Sequence, residues 1–356
     1  MAPIPAPAVL RPAPPEPVAV AESRRQARLL AIAHAGTAPD LSATAEQVRD
    51  ALRRRWDATL AGLRPYRGEV LRRESVTEVE QRAHRFLAGR AALFAARIDR
   101  GRPDDLIAEL AARAMDLERR GGDRAAGQFL DWYARFGGDP VPAALLHLHL
   151  AYQGLARVRA GCLRHARGDR SAAADVTAFT DLTLRHLRTG TVRLILVGGP
   201  SGAGRSLAAG RLADELGAVV LSSDRIRREI AGLDPHISVG AAYREGIHTT
   251  EWTERTYAEL LWRADHLLRR AETVVLDASW RRRRHRLAAR AIGAATYTAL
   301  TELCCATAPG AADDDWPEAH VIEAETGDGG LRQAMRVVTV VPATGEHGRA
   351  QRWTTD

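Results

Sequence analysis

Residues Val192-Arg193-Leu194-Ile195-Leu196-Val197 run straight into Gly198-Gly199-Pro200-Ser201-Gly202-Ala203-Gly204-Arg205-Ser206, and the reading of this stretch decides the fold. The first six residues are a short apolar, branched run, as expected of a strand buried on both faces of a parallel sheet. The next eight positions, Gly199 to Ser206, fit the pattern G-x-x-x-x-G-K-[ST] at every fixed place except the lysine, where Arg205 stands. Glycines let such a loop curl until successive backbone N–H groups face inward and cradle phosphate oxygens. A helix opening near Arg205 adds the partial positive charge of its N-terminus. Gly199, Ser201, Gly202, Ala203, Gly204, Arg205 and Ser206 are therefore the expected phosphate-binding set, with the Ser206 hydroxyl placed to meet Mg²⁺. Arginine keeps the lysine's charge, but it is planar, bulkier and suited to forked contacts, so the exchange is not conservative.

Downstream, strand-like and helix-like segments alternate. Strands are expected at Ala218 to Leu221, Thr273 to Leu276, Thr296 to Cys304 and Ala319 to Ile322. Helices are expected from Ser206, at Arg225 to Ala231, Glu251 to Arg270, Arg282 to Ile292 and Gly330 to Val337. Such alternation implies parallel βαβ units in a layered α/β domain. Asp224, in Ser222-Ser223-Asp224-Arg225, then lies at the C-terminal end of the second strand, where open α/β sheets bind ligands. It could accept a proton from an attacking hydroxyl, or it or Ser223 could simply cap the next helix. Val274-Val275-Leu276-Asp277 ends an apolar run on a carboxylate, the form in which an Asp orients Mg²⁺ or its waters. The expected metal pair is Ser206 and Asp277. Arg281 to Arg286, a basic run opening the following helix, reads as mostly solvated.

Upstream the pattern is helix after helix. Apolar residues recur three and four apart at Val48, Leu52, Trp56, Leu60 and Leu63, and further helices are expected at Val76 to Ile98, Asp104 to Arg119, Arg124 to Phe136, Pro142 to Ala166 and Ala172 to Leu187. Gly101-Arg102-Pro103, Gly121-Gly122 and Gly137 to Pro140 break the run. The expected fold is an all-α N-terminal domain followed by a P-loop three-layer α/β/α domain with a parallel sheet. Its expected limits are a disordered Pro/Ala-rich tail over 1–21, the helical domain over 22–189, the P-loop domain over 190–343 and a tail over 344–356.

Composition narrows the function classes. A chain of 356 residues with 46% hydrophobic and 27% charged positions can bury two ordinary cores. No run reaches the ~18 apolar residues of a membrane helix. Three cysteines, none in a CxxC pair, imply a reducing cytoplasm rather than a disulfide framework. The formal charge of +7 comes with an unusual bias, because all 51 basic residues are arginine and the chain has no lysine or asparagine. These arginines alternate with Glu and Asp along helical faces, the arrangement of a solvated surface rather than a nucleic-acid patch. His147 and His149 have no acidic or cysteine partner at metal-ligand spacing and read as helix packing.

The segments GGPSGAGRS, SSDRIRREIAG and YAELLWRADHLLRRAETVVLDASW, taken in order, resemble P-loop kinases related to gluconate kinases, zeta toxins and the kinase domain of polynucleotide kinases. The resemblance spans about Arg193 to Val341. It implies ATP and Mg²⁺ as cofactors, a small hydroxylated acceptor, Asp224 as base and Arg227 as a contact to substrate. It also implies a lid carrying arginines before the last strand, for which the ten residues Ala306 to Asp315 are too short. AHRFLAGR, AMDLER and FLDWY in the helical half resemble the C-terminal lobe of aminoglycoside-phosphotransferase-like proteins. There Pro103-Asp104-Asp105-Leu106 stands in place of a His-Gly-Asp-Leu catalytic loop, so that half is expected to be a scaffold. Two readings follow: an ATP-dependent phosphotransferase, or a nucleotide-binding protein with little turnover.

Overall fold

A computed structural model describes residues 18–37, 43–100, 104–138, 141–200, 202–234, 246–306, 316–323 and 328–339. The expected terminal tails therefore lie largely outside the described residues, as do Ser201, the Gly101 to Pro103 break and the lid segment from 307 to 315. The helices are α1 (Val18–Ala35), α2 (Ala45–Ala61), α3 (Arg73–Ala88), α4 (Ala91–Asp99), α5 (Asp104–Arg135), α6 (Ala143–Ala166), α7 (Ala172–Thr189), α8 (Arg205–Leu216), α9 (Ser223–Ile230), α10 (Thr250–Arg269), α11 (Arg283–Ala295) and α12 (Asp328–Thr339). The strands are β1 (Arg193–Gly198), β2 (Val219–Ser222), β3 (Val274–Asp277), β4 (Ala299–Ala306) and β5 (His320–Glu323). A helical N-terminal region thus precedes a parallel-sheet α/β domain.

The described residues fall into two compact units, those within 1–38 and 109–140 forming one and those within 39–108 and 141–356 the other. In the first, α1 begins at Val18, four residues earlier than the pattern indicates. His34 of α1 is buried, and its Nδ1 lies 2.9 Å from the Tyr133 hydroxyl. The Gly121-Gly122 break is present as a kink inside α5, where Gly122 takes φ +73°.

In the second unit, five strands lie in the order β2-β3-β1-β4-β5, and every pairing is parallel. The central strand alternates cleanly. Leu194 and Leu196 join a core with Tyr257, Leu260 and Leu268 of α10 and Ala289 of α11. Ile195 and Val197 join another with Ala209 and Leu212 of α8 and Val338 of α12. A strand covered on both faces by helices leaves no polar position outside its ends, which is why β1 reads as an unbroken apolar run. Arg193 at its start is buried, and its guanidinium donates to the carbonyls of Arg188, Thr191 and Val338. The Arg188 and Val338 carbonyls sit in the last turns of α7 and α12, where carbonyls lack intrahelical partners, and Thr191 lies in the link from α7 to β1.

The first of the two cores does not stop at the sheet. It runs on into Leu52, Trp56, Phe86, Leu87, Phe94, Leu148 and Leu187 of the upstream helices. One expected helix is cut in two at this junction, since Val76 to Ile98 forms α3 and α4 with a break at Gly89-Arg90. A Cβ on Gly89 would lie 2.3 Å from the Thr296 carbonyl oxygen, so only glycine lets the chain pass. Arg90 is 1% exposed and donates to that same carbonyl at 2.7 Å. Burial, with the like charges of Arg85 and Arg269 nearby, drives its pKa down to about 10. Arg85 donates to the carbonyls of Tyr297 and Thr298. The turn these arginines hold delays β4 by three residues, because Tyr297 sits at φ +52° and the Thr296 and Thr298 hydroxyls bond each other at 2.7 Å.

Candidate nucleotide site

The loop between β1 and α8 is shaped by glycines at positive φ: Gly199 at +125°, Gly202 at +85° and Gly204 at +71°. These are values that residues with a Cβ adopt only under strain. Gly204 is the N-cap of α8, and the Ala203 N–H closes a turn onto the Pro200 carbonyl at 3.4 Å. Left-handed glycines between a strand and a helix N-terminus form the backbone concavity that binds anions. The loop is held from below. A Cβ on Gly198 would fall 2.2 Å from the Trp316 ring, and one on Gly199 would fall 2.4 Å from the Cys305 carbonyl oxygen. Burial pushes the Cys305 thiol up to about 12, so no thiolate stands ready beside the loop at neutral pH.

Residues 194–311 match the family described as AAA domain. The C-terminal region has a P-loop NTPase fold, and the loop from Gly199 to Ser206 lies within the matched residues. One uncharacterized protein of Mycobacterium bovis and two of Mycobacterium tuberculosis are each 31% identical to this chain over 288 residues. The match takes in 72% of this chain and 58% of each relative, so the chain spans little more than half the length of those proteins. No helix of the described residues is long and apolar enough to cross a membrane.

Around the P-loop, three strand ends bring the expected side chains together. Asp277 closes β3 with its side chain 3% exposed, and it accepts from the Ser206 hydroxyl at 2.8 Å. Its other oxygen accepts from Arg205 Nε at 2.5 Å. The same guanidinium reaches the Gly199 carbonyl at 3.4 Å and comes within 3.6 Å of the Asp224 carboxylate. Asp224 itself is 58% exposed in the first turn of α9. It caps nothing, because Ser222 holds the N-cap position and no side chain there makes a cap hydrogen bond. Arg227 lies one turn on, buried, and its Nη1 donates to the Ile247 carbonyl at 2.9 Å. Burial holds its pKa below the ordinary guanidinium value despite the pull of Asp224 and Tyr257. Its guanidinium thus ties α9 to the segment leading into α10 rather than reaching outward.

For Mg²⁺, the expected pair fits only in part. Ser206 keeps free lone pairs after donating its proton. Asp277, however, has one oxygen on Ser206 and the other on a cation already. Each oxygen keeps a lone pair for an ion's water, but an ion there would stand against the Arg205 guanidinium, whose side chain is only 13% exposed, where water screens poorly. The pair Ser206 and Asp277 is thus a poor fit for Mg²⁺ while Arg205 holds this position.

Several supporting residues have no expected role from the sequence. Trp280, fully buried at φ +52°, presses on Gly198 from beside Trp316, and its backbone N–H donates to the Tyr257 hydroxyl at 3.1 Å. Glu302 lies buried in β4, where it accepts from Trp316 Nε1 at 2.6 Å and from Arg290 through both oxygens at 2.6 and 2.8 Å. The paired carboxylate holds the Arg290 guanidinium well above its ordinary pKa. A charged residue inside an expected strand was the available signal. Removing the Glu302 charge leaves the Arg290 guanidinium, 27% exposed, with its longer contact to Glu318 at 3.4 Å. Glu302→Gln is accordingly expected to lower stability by about 2 kcal/mol, measurable as a shifted denaturant midpoint at unchanged slope. The basic run is also less free than it reads: Arg282 and Arg284 both pair with Glu254, and Arg286 donates to the Trp280 carbonyl at 2.6 Å.

Proposed function

We propose that the P-loop domain binds ATP and transfers its terminal phosphoryl group to a hydroxyl on a small molecule. The observation that carries this reading is Asp224, an exposed carboxylate that caps no helix and stands 3.6 Å from Arg205 at the edge of the P-loop. The loop amides and the N-terminus of α8 would hold the β- and γ-phosphates, and Arg205 would supply positive charge beside them. Asp224 would take the proton as the acceptor oxygen bonds to the γ-phosphorus and the bond to the bridging oxygen of ADP breaks. Arg227, given its inward contact, would serve by fixing the pitch of α9. The upstream helices would be a scaffold, and the buried free thiols suit a reducing cytoplasm.

A second reading, nucleotide binding with little turnover, draws on the Arg205–Asp277 contact at 2.5 Å, which commits the phosphate-loop cation to a carboxylate. Calorimetric titration with ATP and GTP, followed by ADP release with a panel of polyols, sugars and nucleosides, separates the two. Turnover with an acceptor supports the transferase. Binding without turnover supports the second reading. Failure to bind either nucleotide at millimolar concentration rejects both.

A further inference from the structure

The Arg205 guanidinium is a planar fork with three of its nitrogens aimed at three different strand ends. Nε donates to Asp277 after β3 at 2.5 Å, Nη1 reaches the Gly199 carbonyl after β1 at 3.4 Å, and Nη2 lies 3.6 Å from Asp224 after β2. The Arg205 side chain is 13% exposed and that of Asp277 3%, so the pair sits where water screens poorly. A lysine ammonium is a compact point charge and cannot bridge three acceptors this way.

Charge counting gives the fork its purpose. Asp224 and Asp277 place two negative charges beside a loop built to hold polyphosphate, and Arg205 returns one positive charge to the same spot. A divalent ion beside Ser206 and Asp277 would share with Arg205 a carboxylate that the guanidinium already holds at 2.5 Å. It would also bring a second cation against the guanidinium in a poorly screened place.

We infer that Arg205 is a built-in cation that takes the place of the divalent ion, so that the P-loop binds nucleotide phosphates without Mg²⁺. This rests on the nucleotide reading of the same loop. It extends that reading by stating what offsets the Asp277 charge and which species of ligand binds: the metal-free nucleotide.

The test is calorimetric titration of the full-length protein with ATP, once in millimolar Mg²⁺ and once in excess EDTA. The wild-type dissociation constants are expected to agree within about threefold. In Arg205→Lys, the freed Asp277 oxygen admits the ion, and removing Mg²⁺ is expected to weaken binding by more than about tenfold. A tenfold loss in the wild type on adding EDTA overturns the inference and leaves nucleotide binding standing. No binding in either buffer overturns the nucleotide reading and the inference with it. Metal-independent binding by Arg205→Lys shows that the arginine is not the cause and overturns its assignment. Should that variant fail to fold, the wild-type comparison alone decides.

Discussion

Gly199→Ala is expected to weaken ATP binding by at least about a hundredfold, roughly 2.7 kcal/mol, while Gly202→Ala weakens it far less. Two costs coincide at Gly199. Its φ of +125° is one that an alanine reaches only under strain, and its new Cβ would meet the Cys305 carbonyl oxygen at 2.4 Å. That oxygen is backbone on β4, in the middle of a ladder, and it cannot turn aside as a side chain would. The loop must lift off the sheet, and the amides at 202–206 move with it. Gly202, at φ +85°, pays only the conformational cost, since a Cβ there would meet nothing within 4 Å. Isothermal titration of both variants checks the contrast, with a thermal melt to show how much of the loss is folding. Equal affinities for the two variants would mean that the close approach to β4 does not shape the site.

Asp224→Asn should lower phosphoryl transfer by roughly 10²–10⁴ and leave ATP affinity within about threefold. Asparagine keeps the size and the hydrogen-bonding reach of the side chain but cannot hold a proton taken from an attacking hydroxyl. The carboxylate is exposed, so no buried charge is orphaned by the change. Arg205 keeps its stronger partner in Asp277. The measurement is ADP release against acceptor concentration for both proteins, with the ATP dissociation constant determined separately. An Asn variant that turns over at the wild-type rate would remove Asp224 from the chemistry.

The fold of the C-terminal region was legible because its signals are local. Glycines at 199, 202 and 204 between an apolar run and a helix leave few alternatives, and the Val274 to Asp277 strand repeats the apolar run. What the sequence did not disclose depends on contacts between distant residues. Arg205 reads as a lysine substitute aimed at phosphate, yet its acceptors lie at positions 224 and 277 and decide where it points. Arg227 carries the right spacing from Asp224 for an acceptor contact, but burial against Ile247 and Thr253 turns it inward. Gly89 looks like any glycine tolerated inside a helix until Thr296 is found pressed against it. Trp280 and Trp316 read as ordinary aromatics, because nothing in their immediate neighbours reveals that both brace the first glycine of the loop.

The core that passes without a seam from the sheet into the upstream helices has a practical meaning for anyone dividing this chain. Cutting just before β1 would strip Phe86, Leu148 and Leu187 from their neighbours and lay bare the apolar side on which Leu194 and Leu196 rest. The recombinant fragment left behind would carry the whole loop from Gly199 to Ser206 and still clump in the test tube, for want of the wall it was built against.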